Sequence, residues 1–171
     1  MSNYKYSVGI ITLSDKAYAK ERIDESGPLI KKIMEDSGHF LCSNMSIIPD
    51  DLELLKSKLI FLCDKEKINL ILTTGGTGFS PRDNTPEATL AIAEKNVPGI
   101  SEAMRMNSLK ITNRAMLSRG VSVIRKNTLI INLPGSPKAV KENLGFILDT
   151  LSHGLDILLN KDKECGNQNV R

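Results

Sequence analysis

The sequence is poor in aromatic residues and nearly balanced in charge. Its 171 residues include no tryptophan, three tyrosines and four phenylalanines, and the formal net charge is only +3. Proteins that bind single-stranded nucleic acid stack bases on aromatic side chains, and proteins that follow a phosphate backbone carry strongly basic surfaces. We therefore expect no nucleic-acid partner.

Cysteine is also scarce, and its spacing does not suggest metal binding. Cys42, Cys63 and Cys165 are odd in number and form no CxxC pair, which argues against a disulfide framework and a structural zinc site. His39 and His153 have no partner at metal-ligand spacing, so both are predicted to be structural. Reduced, inert thiols are typical of a cytoplasmic protein.

Long apolar runs are missing as well. No stretch approaches the roughly 20 apolar residues that a membrane-spanning helix needs, and residues 1–5 lack the apolar run of a signal peptide. We therefore expect no membrane partner and a cytoplasmic location. The content of 40% hydrophobic and 25% charged residues is that of an ordinary globular protein. We predict one domain over residues 1–160 and a polar tail over 161–171.

Strand-like and helix-like segments alternate along the first half of the chain. Strands are predicted over three apolar or β-branched runs, 6–13, 41–48 and 70–74. Ser26 is placed to cap a helix that ends at Gly38, and residues 49–51 are placed to begin the next helix. This order predicts an α/β fold with parallel strands and helices on both faces of the sheet.

The second half adds more helices and a hairpin. Helical segments are predicted over 85–94, 98–110, 111–117 and 137–159. Thr85 is placed to cap the first of them, and Gly145 and Gly154 are candidate breaks in the last. A hairpin is predicted from the segments 121–125 and 128–133. The mostly parallel sheet is therefore expected to be mixed.

A glycine-rich loop follows the short strand 70–74. Its residues are Thr74, Gly75, Gly76, Thr77 and Gly78. Glycines let a backbone approach a phosphate closely and expose its N–H groups, and threonine hydroxyls add donors. The loop matches neither the Walker A nor the GxGxxG pattern. It predicts an anion-binding site, with a plain chain-reversing turn as the alternative.

Polar clusters also follow the other predicted strands. They are Ser14 and Asp15, then Pro49 and Asp50, and finally Pro134, Gly135 and Ser136. Ligands of open α/β sheets bind beyond the carboxyl ends of the strands, so these clusters and the glycine loop are expected to face one crevice.

Two aspartates and several cations could act at this crevice. Asp50 and Asp83 together could hold Mg²⁺, which prefers oxygen ligands, although each could simply be a carboxylate at a helix start. Four cations are candidate anion clamps, with solvated surface charge as the alternative: Arg82, Arg105, Arg119 and Lys138.

Several ordered motifs resemble the MogA/MoaB family of molybdenum-cofactor biosynthesis proteins. The resemblance spans about residues 6–155 and rests on TTGGTG at 73–78, RD at 82–83, TPEAT at 85–89, PG at 98–99, EAMR at 102–105, LSR at 117–119 and NLPGSPK at 132–138. Ser14-Asp15, DESGP at 24–28 and IPDD at 48–51 fit the same pattern. Asn84 stands where valine is common in the family.

The resemblance implies a three-layer α/β/α fold, a homotrimer and a specific reaction. ATP would adenylylate the terminal phosphate of molybdopterin, with Mg²⁺ present, before hand-off of the product to a molybdenum insertase. The family's two functional aspartates match Asp50 and Asp83. Its substrate site matches Ser14, Asp15, Thr74, Gly75, Gly76, Thr77, Gly78, Arg82, Pro134, Gly135 and Ser136.

Two other functions fit the same residues. One is a molybdopterin-binding or scaffold module without turnover, and the other is a generic nucleotide-binding regulator. A pyrophosphate-release assay separates the first from the enzyme. Calorimetry with ATP, with and without molybdopterin, separates the second.

Overall fold

A computed structural model describes residues 5–160, so Cys165 and the predicted tail 161–171 lie outside the described residues. Six strands are present in this part: β1 (Tyr6–Leu13), β2 (Phe40–Ile48), β3 (Leu70–Thr74), β4 (Lys95–Asn96), β5 (Ser122–Arg125) and β6 (Thr128–Leu133). The helices are α1 (Asp15–Tyr18), α2 (Ser26–Asp36), α3 (Leu52–Asp64), α4 (Thr85–Ala91), α5 (Pro98–Leu109) and α6 (Pro137–Leu158), with a 3₁₀ helix over Asn113–Leu117.

The six strands form one mixed sheet in the order β2-β1-β3-β6-β5-β4. β1 pairs in parallel with β2 and β3, and β3 pairs in parallel with β6. The hairpin of β5 and β6, and the short edge strand β4, add antiparallel pairs. The predicted mixed, mostly parallel sheet is confirmed, whereas the two-residue strand β4 was not predicted.

Helices cover both faces of the sheet and give three layers. Ile10 of β1 and Leu72 of β3 pack in one core with residues of α2, α5 and α6. Ile11 and Ile71, which neighbour them in sequence and point to the opposite face, pack in a second core with α3 and α4. All five residues of β3 are buried, as expected for a strand covered on both faces.

The last helix runs without a break through both of its glycines. The predicted breaks at Gly145 and Gly154 are wrong, because α6 spans Pro137–Leu158 continuously. Leu144, Ile147 and Leu151 are buried along one stripe of the helix. This tertiary packing outweighs the cost of about 1 kcal/mol that a glycine imposes within a helix. No helix of the described residues is both long and apolar enough to cross a membrane.

Two predicted helix caps serve another purpose. Glu25, not Ser26, is the cap residue of α2, and Asn84, not Thr85, is that of α4; neither makes a side-chain capping bond. The Ser26 hydroxyl donates to the Gly135 carbonyl at 2.8 Å, and the Thr85 hydroxyl donates to the Gly75 carbonyl at 3.0 Å. Both side chains therefore join the strand-end loops instead of capping a helix.

Candidate functional site

The loops that follow β1, β3 and β6 meet at Gly75. This residue has a φ of +94°, and a Cβ added there would lie 2.3 Å from the Leu13 carbonyl oxygen. A Cβ on Gly135 would lie 3.4 Å from the Gly75 Cα. Only glycine fits at position 75, because the backbone there has a positive φ and lies against the end of the neighbouring strand. The sequence predicted that the loops after these strands converge, and in the structure their backbones are in direct contact.

The glycine loop presents backbone donors that the protein does not use. Among the described residues, the N–H groups of Gly76, Thr77 and Gly78 donate to no protein acceptor. Successive free N–H groups form a concavity that suits an anion. The Thr74 hydroxyl does not add to it as expected, because it donates to the Pro134 carbonyl at 2.7 Å.

Asp50 and Asp83 both lie against this loop. A Cβ on Gly76 would lie 3.3 Å from an oxygen of Asp50, and one on Gly78 would lie 2.9 Å from an oxygen of Asp83. Burial raises the pKa of Asp50, and the charges of Asp15 and Asp83 raise it further. A bound cation would relieve this desolvation and repulsion.

The two carboxylates fit a magnesium ion that would be coordinated by both carboxylate and phosphate oxygens. Among the described residues, no group of three or more histidine, cysteine, aspartate or glutamate side chains could hold a metal. Mg²⁺ commonly takes one or two carboxylates and completes its shell with phosphate oxygens and water. Asp50 and Asp83 beside a loop with unused N–H groups match that requirement.

Asp15 joins Asp50 to Arg82. The backbone N–H of Asp15 donates to the Asp50 carboxylate at 3.1 Å, and the backbone N–H of Asp50 donates to the Asp15 carboxylate at 3.0 Å. Arg82 then donates to both Asp15 oxygens, at 2.5 and 2.9 Å. The hydrogen bonds from Arg82, followed by that from Asp50, lower the pKa of Asp15. Asp15 is therefore ionised, and its ion pair with Arg82 keeps the guanidinium at the crevice.

Ser14 and Ser136 cap helices at the crevice. The Ser14 hydroxyl accepts from the Ala17 N–H, and the Ser136 hydroxyl accepts from the Ala139 N–H, both at 3.2 Å. Each hydroxyl keeps its own hydrogen for a ligand. The sequence expectation that both serines face the crevice agrees with this placement.

Two cavities are lined by neighbouring residues of the loop after β6, Gly135 in one and Pro134 in the other. The strand-end cavity, of about 350 Å³, is lined by Ser14, Asp24, Ser26, Thr74, Gly75 and Gly135 among others. The helix cavity, of about 230 Å³, lies between α5, the 3₁₀ helix and α6, and its lining includes Met104, Arg105, Arg114, Asn132, Pro134 and Asn143. The strand-end cavity reaches the glycine loop at Thr74 and Gly75, whereas the lining of the helix cavity contains no residue of that loop.

The candidate anion clamps have different surroundings. Arg105 lines the helix cavity while donating to the Gly120 carbonyl at 2.8 Å. Lys138 is a largely exposed side chain, 4.0 Å from Glu142. The Arg119 guanidinium already contacts two backbone carbonyls and Glu87, so it braces the loop rather than reaching into the crevice.

Sequence reasoning missed the roles of two polar side chains that line the cavities, Asp24 and Asn132. Asp24 accepts from the N–H groups of Ser26 and Gly27, both at 3.1 Å, and from the Thr12 hydroxyl at 2.7 Å. The buried Asn132 amide donates to the hydroxyls of Thr73 and Thr89. Both residues lie within the motifs that carry the resemblance, which was the available signal.

Comparison with known proteins gives one family and several close relatives. Residues 9–153 match the model of a probable molybdopterin binding domain. The chain is 36% identical to the molybdopterin adenylyltransferase of Helicobacter pylori (strain J99), over 96% of this chain and 94% of that protein. It is 41% identical to cinnamon, a molybdenum cofactor synthesis protein of Drosophila melanogaster, and to gephyrin of Dictyostelium discoideum, over 88% and 93% of this chain. It spans only about a quarter of those two proteins, 25% and 23%.

Solved structures share the fold. MoaB of Thermus thermophilus, described as a molybdopterin biosynthesis enzyme, matches with a TM-score of 0.85 and 42% identity over 91% of this chain and 97% of that one. A structure of MogA matches with a TM-score of 0.83 and 36% identity over 89% and 99%. The three-layer fold expected from the resemblance is confirmed.

Proposed function

The chain belongs to the molybdopterin-binding domain family of MogA and MoaB, and we propose that it is a molybdopterin adenylyltransferase. It would transfer AMP from ATP to the terminal phosphate of molybdopterin and release pyrophosphate. The observation that carries the proposal is the pair Asp50 and Asp83 beside a glycine loop with free N–H groups. The strand-end cavity, which Thr74 and Gly75 of this loop line together with Ser14 and Ser136, supplies space for a bound molecule beside the pair.

The chemistry needs positioning and charge neutralisation more than proton transfer. An ionised oxygen of the molybdopterin phosphate would attack the α-phosphorus of ATP. The bond from that phosphorus to the bridging oxygen would break, and pyrophosphate would leave with the electron pair. No side chain has to remove a proton or form a covalent intermediate, because the attacking oxygen already carries negative charge.

Each part of the site would have one task in this reaction. The N–H groups of Gly76, Thr77 and Gly78 would hold phosphate oxygens. Asp50 and Asp83 would hold Mg²⁺, which when bound would neutralise charge on the phosphates. Ser14 and Ser136 would donate their remaining hydroxyl hydrogens to substrate oxygens, and Arg82 would add positive charge at the edge of the crevice.

The test is to incubate the protein with molybdopterin, ATP and Mg²⁺ and to measure pyrophosphate and adenylyl-molybdopterin. We expect both products from the wild type, and a loss of turnover of about 100-fold or more in Asp83→Asn with molybdopterin still bound. Asp36→Asn is a control, since Asp36 is an exposed partner of Lys32 far along the sequence from the loops. Molybdopterin binding without pyrophosphate would instead indicate the scaffold function.

We also propose the assembly, location and hand-off that the resemblance implies: a cytoplasmic homotrimer that passes its product to a molybdenum insertase. An apolar groove of about 390 Å³ between α5 and α6 is the candidate contact, lined by Ile100, Ala103 and the half-exposed Phe146. Phe146→Asp is expected to lower the mass measured by sedimentation. An unchanged mass would remove this groove from the interface.

A further inference from the structure

Arg119 lies behind the glycine loop, between the 3₁₀ helix and β5. Its guanidinium donates from Nε to the Gly78 carbonyl at 2.8 Å and from Nη2 to the Asp83 carbonyl at 2.7 Å. Nη1 contacts the Glu87 carboxylate. The backbone N–H of Arg119 donates to the Thr77 carbonyl at 2.9 Å. One residue thus contacts the glycine loop, both ends of the segment 78–83, and helix α4.

These contacts fix the direction in which the segment faces. A trans peptide unit points its N–H opposite to its carbonyl, so carbonyls that face Arg119 turn the following N–H groups away from it. The segment's other contacts include two within itself: the Asp83 N–H donates to the Ser80 carbonyl, and the Ser80 N–H donates to the Asp83 carboxylate. Such a local turn shapes the segment without attaching it to the sheet, whereas the Arg82 side chain attaches it to Asp15 after β1.

Glu87 keeps the guanidinium in this position. Burial raises the pKa of Glu87, but the hydrogen bond from Arg119, that from the Glu87 backbone and the charge of Arg119 together lower the pKa more, leaving it below its ordinary value. The ionised Glu87 neutralises Arg119 and supplies a third acceptor. The planar guanidinium satisfies three acceptors in fixed directions, which a lysine ammonium on a flexible stem does less well.

We propose that Arg119 is a positioning residue for the adenylyl transfer: it holds the carbonyls of Gly78 and Asp83 from behind and so sets the Asp83 carboxylate beside the free N–H groups of the loop. The inference rests on the function proposed above. The three nitrogens of the Arg119 guanidinium all donate to protein acceptors. Its effect is transmitted through the backbone of residues 78–83.

The test compares Arg119→Ala with Arg125→Ala. Arg125 is a matched control, since it donates to both Asp64 oxygens and to the Ile92 carbonyl at the opposite end of the sheet. Groups that orient ligating side chains typically change metal affinity or activity by about 10–100-fold. In Arg119→Ala we expect kcat to fall by that factor and half-maximal activity to need more Mg²⁺. Arg125→Ala should keep the wild-type Mg²⁺ dependence.

Rescue distinguishes positioning from a general loss of structure. Added guanidinium ion should restore part of the turnover of Arg119→Ala and none in Arg125→Ala. If Arg119→Ala does not fold, Arg119→Lys serves instead, with a smaller shift in Mg²⁺ dependence. The proposal is overturned if the variant at Arg119 loses activity only in proportion to its folded fraction, with an unchanged Mg²⁺ dependence.

A binding measurement keeps this inference separate from the proposed function. If the wild type makes no adenylyl-molybdopterin, the proposed function fails, and calorimetry with ATP and Mg²⁺ then decides the role of Arg119. Weaker binding by about 10-fold in Arg119→Ala, but not in Arg125→Ala, would support loop positioning. Equal binding by the two variants would overturn it.

Discussion

Polar groups are paired within the protein at the amino end of the sheet and are partly unpaired at its carboxyl end. At the amino end, the Asn69 side chain accepts from the N–H and hydroxyl of Ser7, and Thr128 donates to the Ile68 carbonyl at 2.6 Å. At the carboxyl end, the N–H groups of the glycine loop have no acceptor in the described part of the chain, and two carboxylates lie beside them.

This difference separates groups that hold the fold from groups that are open to a ligand. Buried polar atoms in proteins are nearly always paired, because an unpaired one costs about 1–3 kcal/mol. The amino end follows that rule within the protein. The carboxyl end leaves donors and carboxylates open to the crevice, where phosphate and a cation would complete them. Mutations at the two ends should therefore change different quantities.

The largest effect is expected from Gly75→Ala at the carboxyl end. The new Cβ would lie 2.3 Å from the Leu13 carbonyl oxygen, on a backbone with φ of +94°. A side chain in that region costs about 1–3 kcal/mol in strain, and the backbone clash adds to it. We expect a lower free energy of unfolding, measured by denaturation curves. Turnover, measured by pyrophosphate release, should fall below about 1% of wild type.

Gly145→Ala is the control for that substitution. Gly145 lies within α6, and a Cβ there has nothing within 4 Å. Alanine should stabilise the helix by about 0.5–1 kcal/mol with turnover unchanged. If Gly75→Ala behaved like Gly145→Ala, the strand ends would not meet as tightly as described.

Asp50→Asn should separate stability from activity. Burial and two neighbouring carboxylates already disfavour the ionised form of Asp50, so a neutral side chain of the same shape should leave the melting temperature unchanged or raise it. Turnover should fall by about 10–100-fold, and the magnesium titration should shift to higher concentration. A lower melting temperature together with an unmoved magnesium titration would make Asp50 only a structural residue at a helix start.

Sequence patterns predicted the elements better than their connections. The apolar runs predicted both ends of β1 and β3 correctly. A strand that is buried on both faces is a continuous apolar run, and its ends are marked by the first polar residues. The polar residues that follow the strands, together with Asp83, predicted a crevice at the carboxyl ends of the strands. Local patterns could not predict the partners of Ser26 and Thr85. The Gly135 carbonyl lies 109 positions from Ser26, and the Gly75 carbonyl, although only 10 positions from Thr85, lies across the irregular glycine loop. Arg119 was predicted as an anion clamp, and its contacts with the loop were missed because the acceptors of its guanidinium lie 32 to 41 positions away.

Thr128→Val tests the amino end with a smaller effect. The buried Thr128 hydroxyl donates to the Ile68 carbonyl, and valine keeps the shape of the side chain while removing that donor. We expect a loss of about 1 kcal/mol in the free energy of unfolding, or about 2–4 °C in melting temperature. Turnover and magnesium dependence should not change. A change in either without loss of stability would contradict the separation of the two ends.

The smallest effect concerns Asp64, which lies at the amino end between Arg125 and Lys126. The hydrogen bond from Arg125 is the main reason that the pKa of Asp64 falls to about 2 from its ordinary 3.8. Because the folded pKa is lowered, the ion pair stabilises the fold above about pH 4, and this contribution is lost as pH falls through about 2. The difference in melting temperature between wild type and Asp64→Asn should therefore shrink from about pH 5 towards about pH 2. Other carboxylates titrate in the same range, but they are common to both proteins and cancel in the difference. A constant difference over that range would mean that the charge of Asp64 does not stabilise this end of the sheet.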